Sequence, residues 1–509
     1  MEVYCLLAAD VVAHFNLKKF KYLQNMKLNY YTLVLILSLF FISCEKNEDD
    51  LIIENPLVGF SISTGELVPS FNPLITVYEV TSLNTLNEIT INISTKGNIP
   101  VYLNEMLVEG TVNSLKLENG DNIIIRTLDN ESNPIEYIVS YLPEDIPRAN
   151  VVTNNNPSDG YIFVNYYEFS LATGFKDHTY IAILNNDGFP VYYKKVPYRR
   201  VGNFTYHNIG NNEKRFSYGI NNGNTIVMDE NFNVIQSLSL LPYNSHNGYP
   251  SDNHDFIYLN DDHYIIPAYV NRENVDMTAY GGWGSVELID FVFQEIKNGQ
   301  VIFEWNSADH PEVFNSVSDV FRNQFNGAGP VDYFHFNSFN IDPRDSHFLV
   351  SARHTDQVYK IHRTTGEIIW RLGGTTSDYT LKSEERFSHQ HHANISKDGT
   401  LLLFDNNVNL DQKTRFVEYS IDQNNYTLDI VKEYHKDGLF MNIMGSIQKL
   451  NNDNFFIGWG GNTSSQINAA RADITEIDNQ GNILLDISFT NNLEKFTNTY
   501  RALKYNINF

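Results

Sequence analysis

Apolar and polar residues alternate with a period of two through most of the chain after residue 56. Clear runs are Val58-Gly59-Phe60-Ser61-Ile62, Thr76 to Val80, Ile89 to Ile93, Asn122 to Arg126 and Tyr137 to Tyr141. Such runs, broken by Gly, Asn and Pro, predict half-buried strands. Residues 56–146 therefore read as a small antiparallel β-sandwich. Pro143-Glu144-Asp145-Ile146-Pro147 reads as a linker.

From residue 150 to residue 509 another pattern recurs: an apolar strand, a polar turn and a second apolar strand. It appears at Tyr180–Tyr193, Thr225–Ile235, Gln294–Trp305, Val358–Trp370, Val417–Val431 and Ile474–Ile487. Copies spaced by about 50 residues mark radial repeats. Six four-stranded blades make a propeller, which leaves few open sheet edges. The expected fold class is therefore all-β, a six-bladed β-propeller over 150–509 preceded by the sandwich. The wider gap between the third and fourth copies, residues 306–334, predicts a long loop of functional or mobile character.

Composition narrows the function classes. The 509 residues carry a formal net charge of −25, which argues against nucleic acid, because phosphate binding needs a basic face. The 31 Tyr and 33 Phe suit strands joined by polar turns. The two cysteines, Cys5 and Cys44, both precede the strand-rich region, so no disulfide or Cys-based metal site is expected in it.

Cys44 has a specific context. Met26-Lys27 opens a segment whose apolar run, Leu33 to Ile42, is too short to span a membrane. Its end, Phe41-Ile42-Ser43-Cys44, resembles a bacterial lipobox, in which the cysteine is lipidated and becomes the first residue. Residues 1–25 then read as a start-site extension, 26–44 as a lipoprotein signal peptide, and the acidic stretch 45–55 as a flexible tether. The implied location is the bacterial cell envelope, periplasmic or surface-exposed, with the membrane reached through a lipid anchor only.

Candidate chemistry concentrates where strands begin. His254, His335 and His391 each precede an apolar strand at the same phase of the repeat. Equivalent positions in a propeller point at its central channel, so the three imidazoles are expected to converge. Arg353 follows the second strand of the His335 repeat and reaches the same space. Such a group offers proton transfer, nucleophilicity and anion binding. Strand alternation aims His392 away from His391, and His354, next to Arg353, is expected to face elsewhere. His207, His246, His263 and His310 read as structural.

His335-Phe336-Asn337-Ser338, Ser351-Ala352-Arg353-His354, Gly366 to Gly374 and Gln390-His391-His392-Ala393 occur in an order that resembles the bacterial arylsulfate sulfotransferases. His254-Asp255-Phe256 and Tyr500-Arg501-Ala502 extend the resemblance. It implies a six-bladed propeller that moves a sulfuryl group from a phenolic sulfate donor to a phenol acceptor, without a nucleotide donor or other cofactor. By the resemblance, His391 is the transiently sulfated nucleophile, His254, His335 and Arg353 are the other catalytic residues, and Asn337 contacts substrate. The propeller's lack of cysteine means that any disulfide of family members is missing.

Within residues 56–146, the stretches Ser63 to Phe71, Val101 to Asn104 and Leu117 to Asn122 resemble a cadherin-like domain of bacterial surface proteins, and the unit reads as a spacer or a homodimerisation module. No G-x-x-x-x-G-K-[ST] loop is present, so no nucleotide-phosphate site is expected. Two other readings stay open: the three histidines as ligands of a divalent metal, and a non-catalytic propeller that binds glycan or protein.

Overall fold

The computed structural model describes residues 57–507, save 82–87, 98, 109–110, 118–120, 129–132, 171–173, 211–212, 245, 463–471 and 490–494. The start-site extension, signal peptide, Cys44 and tether lie outside the described residues. Two compact units divide the chain, residues 1–143 and 144–509.

In the first unit, the strands Leu57–Ile62, Glu88–Thr95 and Thr111–Lys116 form one sheet. Glu66–Val68, Val77–Thr81, Pro134–Ser140, Asn122–Leu128, Val101–Leu103 and Met106–Val108 form the second, in that order. The period-two positions Phe60, Tyr78, Ile91, Ile125, Tyr137 and Val139 all turn into one core. The sandwich is not wholly antiparallel: Val77–Thr81 runs parallel to Pro134–Ser140. Alternation marks which face of a strand is buried but is blind to its direction, so the sequence could not distinguish the two.

The described residues of the second unit form six sheets. Blade 2 is Val201–Asn208, Lys214–Ile220, Thr225–Met228 and Val234–Leu238. Blade 3 is Ile257–Asn260, His263–Val275, Val286–Lys297 and Gln300–Asn306. Blade 4 is Phe336–Ile341, Phe348–Ala352, Gln357–Ile361 and Ile368–Gly373. Blade 5 is His391–Ile395, Leu401–Asp405, Arg415–Asp422 and Thr427–His435. Blade 6 is Ser446–Lys449, Phe455–Gly458, Ile474–Ile477 and Ile483–Phe489. The recurring phrase of the sequence is the outer pair of strands in each blade.

Blade 1 closes the ring. Tyr161–Ser170, Thr179–Leu184 and Pro190–Val196 come early in the unit, but the innermost strand is the late Lys495–Tyr505, paired with Tyr161–Ser170. Ala149–Asn154 adds a fifth strand to the outer edge of blade 6. Both ends of the unit are thus stitched into blades built from the opposite end.

Apolar side chains pack between neighbouring blades. One cluster joins Phe163 and Ile181 of blade 1 to Phe216 and Met228 of blade 2. Others join Leu349 and Trp370 to Leu403 and Tyr419, and Phe404 and Phe416 to Phe455 and Ile457. The largest joins blades 3 and 4 and takes in the insertion between them, through Val313, Phe314, Val317 and Phe325. Each fully buried side chain of this size contributes roughly 1.5–3 kcal/mol. The segment is accordingly a packed structure with short helical turns, Pro311–Ser316 and Asp319–Arg322 among them.

Candidate active site

The inner strands of blades 3, 4 and 5 begin just after or at His254, His335 and His391, so all three enter the channel at one end. Inner strands are bulged at this level. The register shifts between Phe336 and Ser338, between His391 and Asn394, and between Gly202 and Thr205. A bulge re-aims side chains and commonly marks the rim of an active site. His335, His392 and Asn203 adopt left-handed φ values of 49°, 49° and 47°, a conformation that costs a non-glycine residue on the order of 1–3 kcal/mol.

Below the rim an ion pair spans the axis. Arg501 from blade 1 donates to both carboxylate oxygens of Asp255, to Asn203 Oδ1 and to the Asn337 carbonyl. Asp255 also accepts from the Phe256 and Phe339 amides and from Asn203 Nδ2. Four blades are tied at this point, and the floor of the site is fixed.

On that floor the predicted residues converge. The His254 and His335 rings lie 5.5 Å apart, and Tyr500 lies 5.4 Å from His254. The Arg353 amide donates to the His335 carbonyl, and Arg353 Nη2 donates to Asn442 O at 3.2 Å. Asn442 belongs to the loop that supplies the Met444 N–H, which points at His391 Nε2 from 3.3 Å. Arg353, His335 and His254 are all near enough for their charges to act on His391.

Each histidine holds a different partner at Nδ1. His254 faces Asp252 Oδ1 at 2.6 Å, and His335 faces Asp332 Oδ2. His391 faces the amide oxygen of Asn406 at 2.7 Å and the His389 carbonyl at 3.1 Å. Asn406 is oriented by its own Nδ2, which donates to the Met441 and Met444 carbonyls at 2.9 and 3.0 Å. All these partners accept, so Nδ1 carries the proton of a neutral ring, and the Nε2 lone pair of His391 accepts the 3.3 Å hydrogen bond from the Met444 N–H.

The electrostatics separate the three. Burial opposes charge on His254, but the field and hydrogen bond of Asp252 outweigh it, and its pKa lies above the ordinary value. Burial drives His335 well below it, and the charges of His254 and Arg353 add to the effect. His391 is also driven well below it, by burial and then by Arg353, against a smaller lift from Asn406. The cavity therefore favours the protonated form on His254 and the neutral form on His335 and His391. Burial lowers the Arg353 pKa only to about 10, so the guanidinium stays charged.

Two expectations change. His354 does not face elsewhere: its ring stacks on His335 at 4.3 Å, and Phe321 of the insertion stacks on its other side. The short 3₁₀ turn Arg353–Thr355 breaks the strand alternation on which that expectation rested. Asn337 is fully buried, and its amide donates to the Gln390 carbonyl at 2.6 Å. It holds the backbone just before His391 rather than lining open space. His392 does point away from His391, and it lines a separate polar cavity of about 230 Å³ at the other end of the channel.

Sequence reasoning missed Asp252, Asp332, His354, Asn406 and Phe321 as parts of the site. The two aspartates did leave a signal, an acid two or three residues before a channel histidine. Among the other histidines, His246 and His263 pair with Glu304 and Glu295, His207 bonds Ser217, and His310 stacks on Trp305.

Among the described residues one group, Asp332, His335 and His354, brings potential metal-ligand atoms within 4.8 Å of one another. A bound metal lies in the plane of an imidazole that ligates it. The two rings here are stacked with only 25° between their planes, so one ion cannot lie in both planes. Their Nδ1 atoms are already engaged by the Asp332 carboxylate and carbonyl. The arrangement is that of a hydrogen-bonded stack and does not fit a metal centre.

Three solved structures illustrate the comparisons by shape. A protein of unknown function from Bacteroides caccae shares 13% identity, with 65% of this chain and 93% of that one covered and a TM-score of 0.37. An auxiliary nutrient binding protein from Bacteroides ovatus ATCC 8483 shares 7%, covering 84% and 85%, with a TM-score of 0.31. A putative 6-phosphogluconolactonase from Bacteroides fragilis NCTC 9343 shares 10%, covering 81% and 99%, with a TM-score of 0.31. Superpositions this loose carry no argument, and the blade count rests on the strand pairing described above. No curated protein matches the chain by sequence. The family model described as Arylsulfotransferase (ASST) matches residues 231–501, which include His254, His335, Arg353, His391 and Arg501. The chain belongs to the arylsulfotransferase (ASST) family.

Proposed function

We propose that the protein transfers a sulfuryl group from an aryl sulfate to a phenol through a sulfated His391. The family supports aryl sulfotransferase activity in general. The observation that favours this route is the difference between Nδ1 partners: a carboxylate beside His254 and His335, a neutral amide beside His391. A neutral imidazole is a competent nucleophile, here once its Nε2 lone pair gives up the long 3.3 Å hydrogen bond from the Met444 N–H.

In the first half-reaction the Nε2 lone pair of His391 bonds to sulfur. The bond between sulfur and the aryl oxygen breaks, and its electron pair leaves on the phenolate. Protonated His254 gives that oxygen a proton, which is general acid catalysis. Arg353 sets a fixed positive charge against the sulfuryl oxygens. Its Nε is buried without a protein partner, and among the described residues no carboxylate hydrogen-bonds the guanidinium. In the second half-reaction a phenol gives its proton back to His254, its oxygen bonds to sulfur, and the electron pair of the N–S bond returns to Nε2. His335 is read as the neutral hydrogen-bond partner of the reacting oxygens, and Asn337 as the residue that orients Gln390 ahead of His391.

The test is a donor screen with p-nitrophenyl sulfate and phenol. Release of p-nitrophenol that depends on added phenol supports transfer. Release that is indifferent to phenol indicates hydrolysis, and no release removes the proposal.

The N-terminal proposals rest on sequence. Cys44 is read as a lipidated first residue that tethers the protein to the cell envelope, and residues 56–146 as a spacer or a homodimerisation module. Labelled palmitate is expected to enter the wild type and not Cys44→Ala; equal labelling of both would remove the anchor.

A further inference from the structure

We propose that Asn406 is a positioning residue that keeps the Nδ1 proton on His391 through both half-reactions, and that its being an amide rather than a carboxylate is what keeps the sulfated intermediate reactive. The proposal rests on the sulfohistidine reading above.

The geometry carries it. His391 Nδ1 has two acceptors, Asn406 Oδ1 at 2.7 Å and the His389 carbonyl at 3.1 Å, and neither can accept a proton outright. Asn406 cannot turn its amide around, because its Nδ2 donates to two carbonyls, Met441 O and Met444 O. The side chain is fully buried, so water does not compete for the bond. His254 and His335 in the same cavity use aspartate at the equivalent ring nitrogen.

Electron bookkeeping shows why the difference matters. Attack by Nε2 places a formal positive charge on the ring, shared with the protonated Nδ1. When the acceptor attacks sulfur, the N–S pair returns to Nε2 and the leaving group is a neutral imidazole. If Nδ1 had lost its proton to a neighbouring carboxylate, the same step would expel an imidazolate, a far more basic leaving group. An amide accepts the hydrogen bond but not the proton. Asn406 therefore acts through His391 and need not touch substrate.

The experiment follows the two half-reactions separately in the full chain. Enzyme is mixed with p-nitrophenyl sulfate alone, the sulfated protein is isolated, and phenol is then added. Asn406→Asp is expected to form the adduct and to discharge it to phenol about tenfold or more slowly than the wild type, the change in rate that one unit of leaving-group pKa can bring. A variant that discharges at the wild-type rate overturns the proposal.

Because aspartate would face the Met441 and Met444 carbonyls, the variant is also at risk of misfolding, so a second measurement uses the wild type. Nitrogen-15 NMR of histidine-labelled enzyme is expected to show the His391 Nδ1 proton retained after sulfation at Nε2. Loss of that proton in the adduct overturns the proposal whatever the variant does. If the wild type forms no adduct with donor alone, the sulfohistidine reading itself has failed, and the two failures are told apart.

Discussion

Arg501 and Asp255 meet through two parallel hydrogen bonds of 3.0 Å, although 246 residues separate them in the chain. The pair joins the last inner strand, which closes the ring, to the entry of blade 3. Breaking a buried pair from one side costs more than the pair contributes, because the other charge is left stranded.

Asp255→Ala is accordingly expected to lower stability by roughly 3–5 kcal/mol. Urea denaturation followed by tryptophan fluorescence measures it. A loss under about 1 kcal/mol, the range of an exposed pair, would show that the floor of the site does not depend on this bond.

The Asp252–His254 pair sets a pH limb. The folded pKa of His254 is raised, so its protonated form persists above the ordinary value and is lost as pH rises through the raised pKa. If His254 is the acid of the first half-reaction, activity falls over that same interval. Asp252→Asn removes the larger lifting charge and leaves burial, which lowers the pKa, against the smaller lift from Asp332, so the alkaline limb is expected to move to lower pH. Rate profiles of the first half-reaction check this, and an unmoved limb would assign the acid role to another group.

Arg353 and His391 are expected to differ in kind when substituted. Losing one electrostatic partner of developing charge costs a factor of about 100 to 1,000 in rate. Arg353→Lys keeps the charge but not the planar fork, so a trace of turnover is expected. His391→Ala removes the nucleophile and is expected to abolish release of phenol from the donor. Equal residual rates in the two variants would contradict these roles.

Phe321 belongs to the insertion but stacks on His354, which stacks on His335. Aromatic pairs of this kind contribute about 0.5–1.5 kcal/mol beyond area burial. Phe321→Ala is expected to lower kcat/KM by about two- to tenfold, the kinetic equivalent of that energy. Unchanged kinetics would place the insertion outside the function of the site.

Much of this architecture was legible in the sequence. The strand-turn-strand phrase at Val358–Trp370 or Ile474–Ile487 is the outer half of a blade, where the third strand is buried, the fourth is partly exposed and the turn is polar. Repeat phase brought His254, His335 and His391 to one end of one channel. What stayed hidden has local causes. His354 joins the site because a 3₁₀ turn follows Ala352, and a turn of that kind leaves no period in the pattern. Asn406 follows the apolar strand Leu401–Asp405 with no pattern that marks it, and it is oriented by the Met441 and Met444 carbonyls, 35 and 38 residues later. The parallel strand of the sandwich was hidden because alternation reads the same in either direction.

The central claim is that His391 carries the sulfuryl group. The most direct measurement is mass spectrometry of enzyme incubated with p-nitrophenyl sulfate alone, followed by peptide mapping. The account predicts one sulfuryl group on the peptide that contains His391, absent from His391→Ala and lost when phenol is added. Turnover with no adduct at His391, together with intersecting rather than parallel initial-rate lines for donor and acceptor, would contradict it.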